Sequence, residues 1–118
     1  MSETATPSEE WTSEDGRDYL LITHDSLETV FPQLLERCKA AEAGGISSFL
    51  GTTRDTFEGK TVVRLEYDSY IPMALQQLQV IINNARERWE LSHVALAHRL
   101  GEVAVKQTSV VCMLYIYI

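Results

Sequence analysis

From residue 19 onward the apolar positions follow two rhythms, one near two and one of three to four residues. Tyr19-Leu20-Leu21-Ile22-Thr23-His24 is a strand candidate bounded by polar residues. Asp25 then stands as a helix N-cap with Glu28 as its capping-box partner. Leu27, Val30, Phe31, Leu34, Leu35, Cys38 and Ala41 form one helical apolar stripe, with Pro32 placed to kink it and Gly44-Gly45 to end it. Ile46 to Leu50 reads as a short buried strand, and Thr52 to Lys60 as a polar, glycine-punctuated, mobile loop or hairpin. Val63, Leu65 and Tyr67 alternate with Arg64, Glu66 and Asp68, which predicts a half-buried strand. Pro72 suits the first turn of a second helix, whose stripe is Leu75, Leu78, Ile81, Ile82, Ala85 and Trp89, with Arg86, Glu87 and Arg88 solvated. Val94, Leu96 and His98 alternate in a fourth strand. Leu100-Gly101-Glu102 makes a turn, and Ser109 to Ile118 is a fifth β-prone run. The order β-α-β-β-α-β-β predicts an α+β domain with a mainly antiparallel sheet and two amphipathic helices. A ferredoxin-like split is the natural arrangement from topology alone.

Residues 1–18 break that pattern. They are polar and acidic, with Trp11 their one large apolar group before Tyr19, so they are expected to form a disordered tail preceding a domain over residues 19–118. A length of 118 residues suits one domain, and 45% hydrophobic content supplies a core. A net charge of −7 and a pI near 4.8 argue against nucleic acid, whose binders carry basic stripes. The sequence holds no run resembling a membrane span and no basic-then-apolar leader, and two cysteines suit a reducing compartment. A cytosolic protein is expected.

The first candidate chemistry is Gly51-Thr52-Thr53-Arg54, a glycine turn that delivers one arginine into a polar loop. Arginine offers a charged, rigid fork of donors that suits phosphate or carboxylate, and Thr52 and Thr53 add hydroxyl and backbone donors. The competing reading pairs Arg54 with Asp55 or Glu58 as a surface arginine. Glu66, Tyr67 and Tyr70 could form a polar cluster, although Tyr67 fits the core and Glu66 the solvent. His98-Arg99 suggests acid–base chemistry, yet His98 shares the apolar face of Val94 and Leu96 and reads better as a half-buried histidine. Cys38 and Cys112 sit in apolar stripes, a core setting rather than one that activates a thiol. His24, His93 and His98 have no metal-ligand spacing, so no metal is expected.

Four ordered blocks carry a resemblance. These are Gly45 to Arg54, Leu65-Glu66-Tyr67-Asp68-Ser69-Tyr70-Ile71-Pro72-Met73-Ala74, Ala85-Arg86-Glu87-Arg88-Trp89, and His98-Arg99-Leu100-Gly101-Glu102-Val103. Over roughly Tyr19 to Val111 the chain resembles the large, catalytic subunit of molybdopterin synthase, most of all its animal branch, whose loop carries a sequence like Phe57-Glu58-Gly59-Lys60. The resemblance implies an α/β hammerhead type of α+β fold in place of the ferredoxin-like split. It implies sulfur transfer from the thiocarboxylated tail of a small ubiquitin-like subunit to cyclic pyranopterin monophosphate. The partners it implies are that sulfur carrier, a second large subunit within a heterotetramer, and the pterin. It assigns Thr52, Thr53 and Arg54 to the loop that holds the pterin phosphate or the tail, and it implies no cofactor.

The sequence departs from the family after about residue 111. Members continue into a Ser-x-His-Arg motif, a further helix and a lysine-rich stretch, whereas here Cys112-Met113-Leu114-Tyr115-Ile116-Tyr117-Ile118 follows. Lys39, Lys60 and Lys106 match no catalytic position, so the catalytic residues are unassigned. The expectation is a C-terminally truncated product of doubtful activity, whose uncharged Val110 to Ile118 run favours aggregation. Two alternatives stay open: a non-catalytic partner of synthase subunits, and a generic α+β anion-binding module.

Overall fold

The run Asp18–Thr23 is buried on both faces, which demands a strand covered from above and below. A computed structural model describes residues 8–37, 39–68 and 70–118 and shows that arrangement. The elements are β1 (Glu9–Thr12), β2 (Asp18–Thr23), α1 (Leu27–Arg37), β3 (Gly45–Thr52), β4 (Thr56–Phe57), β5 (Lys60–Thr61), β6 (Arg64–Tyr67), α2 (Ile71–Arg88), β7 (Leu91–Arg99), β8 (Gly101–Ala104) and β9 (Thr108–Ile116). Five strands form one sheet in the order β1-β2-β7-β9-β3. Only β2 and β7 run parallel there; the other pairs are antiparallel.

The helices lie on opposite faces of the sheet. Leu27 and Leu34 of α1 are buried with Tyr19, Leu21, Ala95, Ala97, Val111, Met113 and Tyr115. On the other face Ile82 of α2 is buried with Leu20, Leu91, Val94 and Leu96. A ferredoxin-like split would stack both helices on one face, so that expectation is corrected. The α+β class with a mainly antiparallel sheet stands. Each fully buried leucine contributes about 1.5–3 kcal/mol of transfer free energy.

Several local expectations change. Acidic residues 8–18 are not a disordered tail: Glu9–Thr12 pairs antiparallel with β2, and Tyr19 donates a 2.6 Å hydrogen bond to Glu10 Oε2. Residues 1–7 lie outside the described residues, as does Cys38. The helix α1 starts at Leu27, one residue beyond an Asp25 cap, because Ser26 is its boundary and Ser26 O accepts from the N–H and the hydroxyl of Thr29. It runs through Pro32, which removes a single i→i−4 bond, and stops at Arg37 well before Gly44-Gly45. The Tyr115 hydroxyl reaches the carbonyls of Leu34 and Leu35 at 2.9 and 3.0 Å and serves as a donor to last-turn acceptors.

The strand β3 is not buried. It pairs with β9 alone at the sheet edge, while α1 packs over β7 and β9 and α2 over β2, leaving Phe49 65% exposed. Likewise Ile81 and Trp89 fall outside the covered stripe of α2, with Trp89 59% exposed. The segment β6 pairs only with β8, so Val63 and Leu65 face solvent. The run expected to aggregate becomes β9, paired on both sides by β7 and β3. Arg86 is not solvated: its side chain reaches Asp18 at 2.6 Å.

Candidate functional site

At the end of β3 the chain is steered by a glycine and a bulge. A Cβ on Gly51 would lie 2.7 Å from Val110 Cγ1, so only glycine permits this close approach. The β3–β9 register then slips between Gly51 and Thr52, so that Gly51 faces Val110 and Thr52 faces Thr108. Ser109, the skipped residue, donates its hydroxyl to Gly51 O at 3.2 Å. The bulge ends the ladder and turns the next residues out of the sheet.

Those residues enter a second main-chain frame. Thr53 N–H donates to Gln107 O at 3.0 Å, Lys106 N–H donates to Thr53 O at 2.8 Å, and Thr53 bridges Val105. The Thr53 side chain is only 2% exposed, and its Oγ1 has no partner among the described residues. Thr53 is therefore an anchor for the backbone, whereas Thr52 and Arg54 on either side of it are exposed.

Arg54 opens a hydrogen-bonded hairpin rather than a loose loop. Val62 N–H closes it onto Asp55 O at 2.7 Å, and Glu58 and Gly59 make its tight turn with φ of 52° and 79°. Val105 N–H then donates to Val63 O at 3.2 Å, so both ends of the hairpin are tied to the Val105–Gln107 segment. The Arg54 guanidinium carbon sits 5.6 Å from the centre of the Phe57 ring. Among the described residues Arg54 forms no ion pair, with Asp55 and Glu58 included in that statement.

Glu28, at the start of α1, reaches the β9 side of this frame through Thr108. Its Oε2 accepts from Thr108 N–H at 3.0 Å and from the Thr108 hydroxyl at 2.6 Å, and its Oε1 from Ser26 at 3.1 Å. Desolvation alone would raise its pKa. The bonds from Thr108, its own backbone and Ser26 outweigh that and hold the carboxyl below its ordinary value. The expected Asp25–Glu28 capping box is thus replaced by a clamp from α1 to the first residue of β9.

The remaining candidates take structural positions. His98 is half-buried, with Nδ1 2.8 Å from Arg99 O and its ring edge-on to Tyr67 at 4.9 Å. Together they line a cavity of about 280 Å³ with Ile22, Ala74, Leu78 and Leu100. Glu66 and Tyr70 are exposed. Burial pushes the Cys112 thiol upward, which disfavours the thiolate. No group of three or more His, Cys, Asp or Glu side chains able to hold a metal occurs among the described residues. No helix of the described residues is long and apolar enough to cross a membrane.

The sequence reading missed Gln107 and Lys106. Gln107 Oε1 accepts from Ala104 N–H at 3.1 Å and from Arg99 Nη1 at 3.2 Å, which fixes the segment beside Thr53. The position of Lys106 between two β-prone runs was the available signal, but its backbone conformation was not legible.

Comparison with known proteins places this geometry. The profile of the family described as MoaE protein matches residues 23–115. The chain is 41% identical over 98 residues to the molybdopterin synthase catalytic subunit of Arabidopsis thaliana, covering 83% of this chain and 50% of that one. It is 45% identical over 95 residues to molybdopterin synthase catalytic subunit 1 of Aedes aegypti, covering 80% and 60%. The chain thus spans about half to three-fifths of the length of these relatives. Its fold is similar to the crystal structure of molybdopterin synthase from Staphylococcus aureus, with a TM-score of 0.68 at 24% identity over 80% of this chain and 67% of that one. Molybdopterin cofactor biosynthesis protein E from Burkholderia multivorans gives a TM-score of 0.63 at 26% identity, over 80% and 61%.

Proposed function

The chain belongs to the MoaE protein family, and from that premise we propose that it works in molybdenum cofactor biosynthesis as the large subunit of molybdopterin synthase. The reaction is sulfur transfer from the thiocarboxylated C-terminus of a small ubiquitin-like subunit to cyclic pyranopterin monophosphate. The setting is the cytosol, and the assembly pairs two large subunits with two small ones. Within that reaction the described domain supplies one wall of the site: Thr52 and Arg54, set on the Thr53 anchor, receive the anionic phosphate or the carboxyl end of the tail.

One observation carries this reading. The backbone on either side of Arg54 is fixed by main-chain bonds, and its guanidinium forms no ion pair among the described residues. A guanidinium carried on a fixed backbone and without an internal counter-ion is suited to an external oxyanion. The second reading is a subunit that binds its partner without catalysing.

The test is a sulfur-transfer assay with thiocarboxylated small subunit and pterin precursor, run beside a version extended with the family's C-terminal segment. Turnover by both supports the synthase reading. Turnover by the extended version alone, with small-subunit capture by both, supports the binding reading. Arg54→Ala is expected to weaken anion or tail binding by about 1–3 kcal/mol, the range for charge-assisted bonds. An unchanged affinity returns Arg54 to the solvated surface.

A further inference from the structure

The segment that anchors Thr53 carries a lysine in an unusual conformation. Gln107 N–H donates to Ala104 O at 3.0 Å and closes a four-residue turn whose third residue is Lys106. Lys106 has a φ of 77°, in the left-handed region that this turn position ordinarily gives to glycine. A β-carbon is strained there, and glycine would build the same turn without it. The turn therefore does not account for a lysine.

Its neighbours supply a reason. The Lys106 N–H is bonded to Thr53 O, so the backbone sets Lys106 beside Arg54, the residue that follows Thr53. On the hairpin Lys60 pairs with Phe57, over whose ring Arg54 lies. Backbone bonds thus bring together three segments that each carry a cation, Arg54, Lys60 and Lys106, in a chain whose net charge is −7; Asp55 and Glu58 lie on the same hairpin. None of the three forms an ion pair among the described residues, whereas Arg64 and Arg86 pair with Glu102 and Asp18.

We propose that Lys106 is a second cation of the Arg54 site and that the two grip a phosphate group from different sides, an inference that rests on the anion-binding reading above. Phosphate is favoured over carboxylate by geometry. A single guanidinium fork satisfies a carboxylate in one plane. A tetrahedral phosphate leaves further oxygens for an ammonium approaching from a separate segment.

The test titrates inorganic phosphate into the whole chain, with acetate as the control anion, while following the amide resonances of residues 53–57 and 105–107. Wild type is compared with Lys106→Gly, Lys106→Arg and Arg54→Ala. Lys106→Gly relieves the left-handed strain, so its thermal midpoint should equal or exceed that of wild type. Its phosphate affinity should nevertheless fall roughly three- to tenfold, the loss of one exposed charge-assisted contact. Lys106→Arg should stay within about twofold of wild type, and acetate affinity should change little with either variant. A purely structural lysine would give the stability gain with no loss of affinity, and that result overturns the proposal. If Arg54→Ala weakens phosphate while Lys106→Gly does not, Lys106 lies outside the site and the Arg54 reading survives. If phosphate moves no resonance in wild type, both fail together.

Discussion

The contact best suited to a quantitative test is the ion pair between Asp18 and Arg86, which joins the first residue of β2 to the last turn of α2. Arg86 Nη2 and Nε donate to Asp18 Oδ1 at 2.6 and 3.1 Å, and Nε reaches Oδ2 at 3.3 Å. The same guanidinium donates to Leu91 O at 2.7 Å and Ser92 O at 3.1 Å. The two side chains are 9% and 22% exposed, so neither falls under the small values of surface pairs. Removing one partner of a buried pair costs about 3–5 kcal/mol, chiefly because the other charge is left buried. Here Arg86 keeps two carbonyl acceptors, and Asp18→Asn keeps the size and one acceptor, so about 2 kcal/mol is expected for Asp18→Asn. Arg86→Met should cost somewhat more, about 3 kcal/mol, since it also removes one of the two arginine donors to each of the Leu91 and Ser92 carbonyls, leaving those from Arg17. Urea unfolding of both single variants and the double variant measures the coupling. The double variant should be less destabilised than the sum by about 1–2 kcal/mol. Strictly additive single effects below about 0.5 kcal/mol would show that this pair is solvated and the reasoning wrong.

Two further outcomes follow from buried hydrogen bonds. Glu28→Gln should weaken the clamp from α1 to Thr108 by about 1 kcal/mol at neutral pH, a value discounted for the exposure of the residue. Because the Glu28 carboxyl is held below its ordinary value of 4.5, its contribution is complete above that pH and is lost as pH falls through the lower folded value. The difference between wild type and Glu28→Gln should therefore shrink in acid, read by thermal midpoints at a series of pH values; a gap that widens in acid refutes the sign. Tyr115→Phe leaves the Leu34 and Leu35 carbonyls without their shared donor and should cost about 1–2 kcal/mol, with faster amide exchange in the last turn of α1 than in the first. Uniform exchange along α1 would assign the helix end to another cause.

Periodicity reported where a segment buries a face, and it failed where burial depends on a neighbour distant in sequence. Leu27 and Leu34 were legible because α1 lies over the middle of the sheet, where they are buried with Val30, Phe31 and Leu35 part-buried beside them; Ala41, counted in the same stripe, is exposed. Ile81 and Trp89 were misread because α2 packs towards β2, and no local pattern says where a helix sits across a sheet. Phe49 was misread for the same reason: an apolar strand gives one signal at the centre of a sheet and at its edge. Glu9 and Glu10 looked too polar to fold, yet an edge strand needs only its backbone bonds and one covered face, which Trp11 helps to supply. Asp18 and Arg86 lie 68 residues apart, and nothing in either neighbourhood announces the other. In the site, Gly51 and Arg54 could be read from residue type. The αL lysine and the Gln107 side chain could not, because both depend on how the Ala104–Gln107 turn docks on Thr53.

The two ends of the sheet use arginine in opposite ways, and that contrast separates support from binding. At the end where β2 and β7 begin, Arg17 donates to Ser92 O, Leu91 O and the Tyr117 hydroxyl, and Arg86 spends its fork on Asp18 and the same two carbonyls. Donors committed in this way cannot receive a ligand without first giving up internal bonds, so that end is built for stability. At the end where β3 stops, the backbone around Arg54 is equally well bonded, through Thr53, Val62 and Val105, but among the described residues the guanidinium forms no ion pair and lies over the Phe57 ring. Rigid presentation reduces the entropy lost on binding, and an uncommitted fork avoids the cost of breaking an internal pair. A phosphate would therefore find its partner already aimed at the Arg54 end and already occupied at the Arg86 end. Phosphate titration should accordingly shift the amides of residues 53–57 and leave those of residues 91–92 in place; the reverse pattern would contradict this assignment of the two ends.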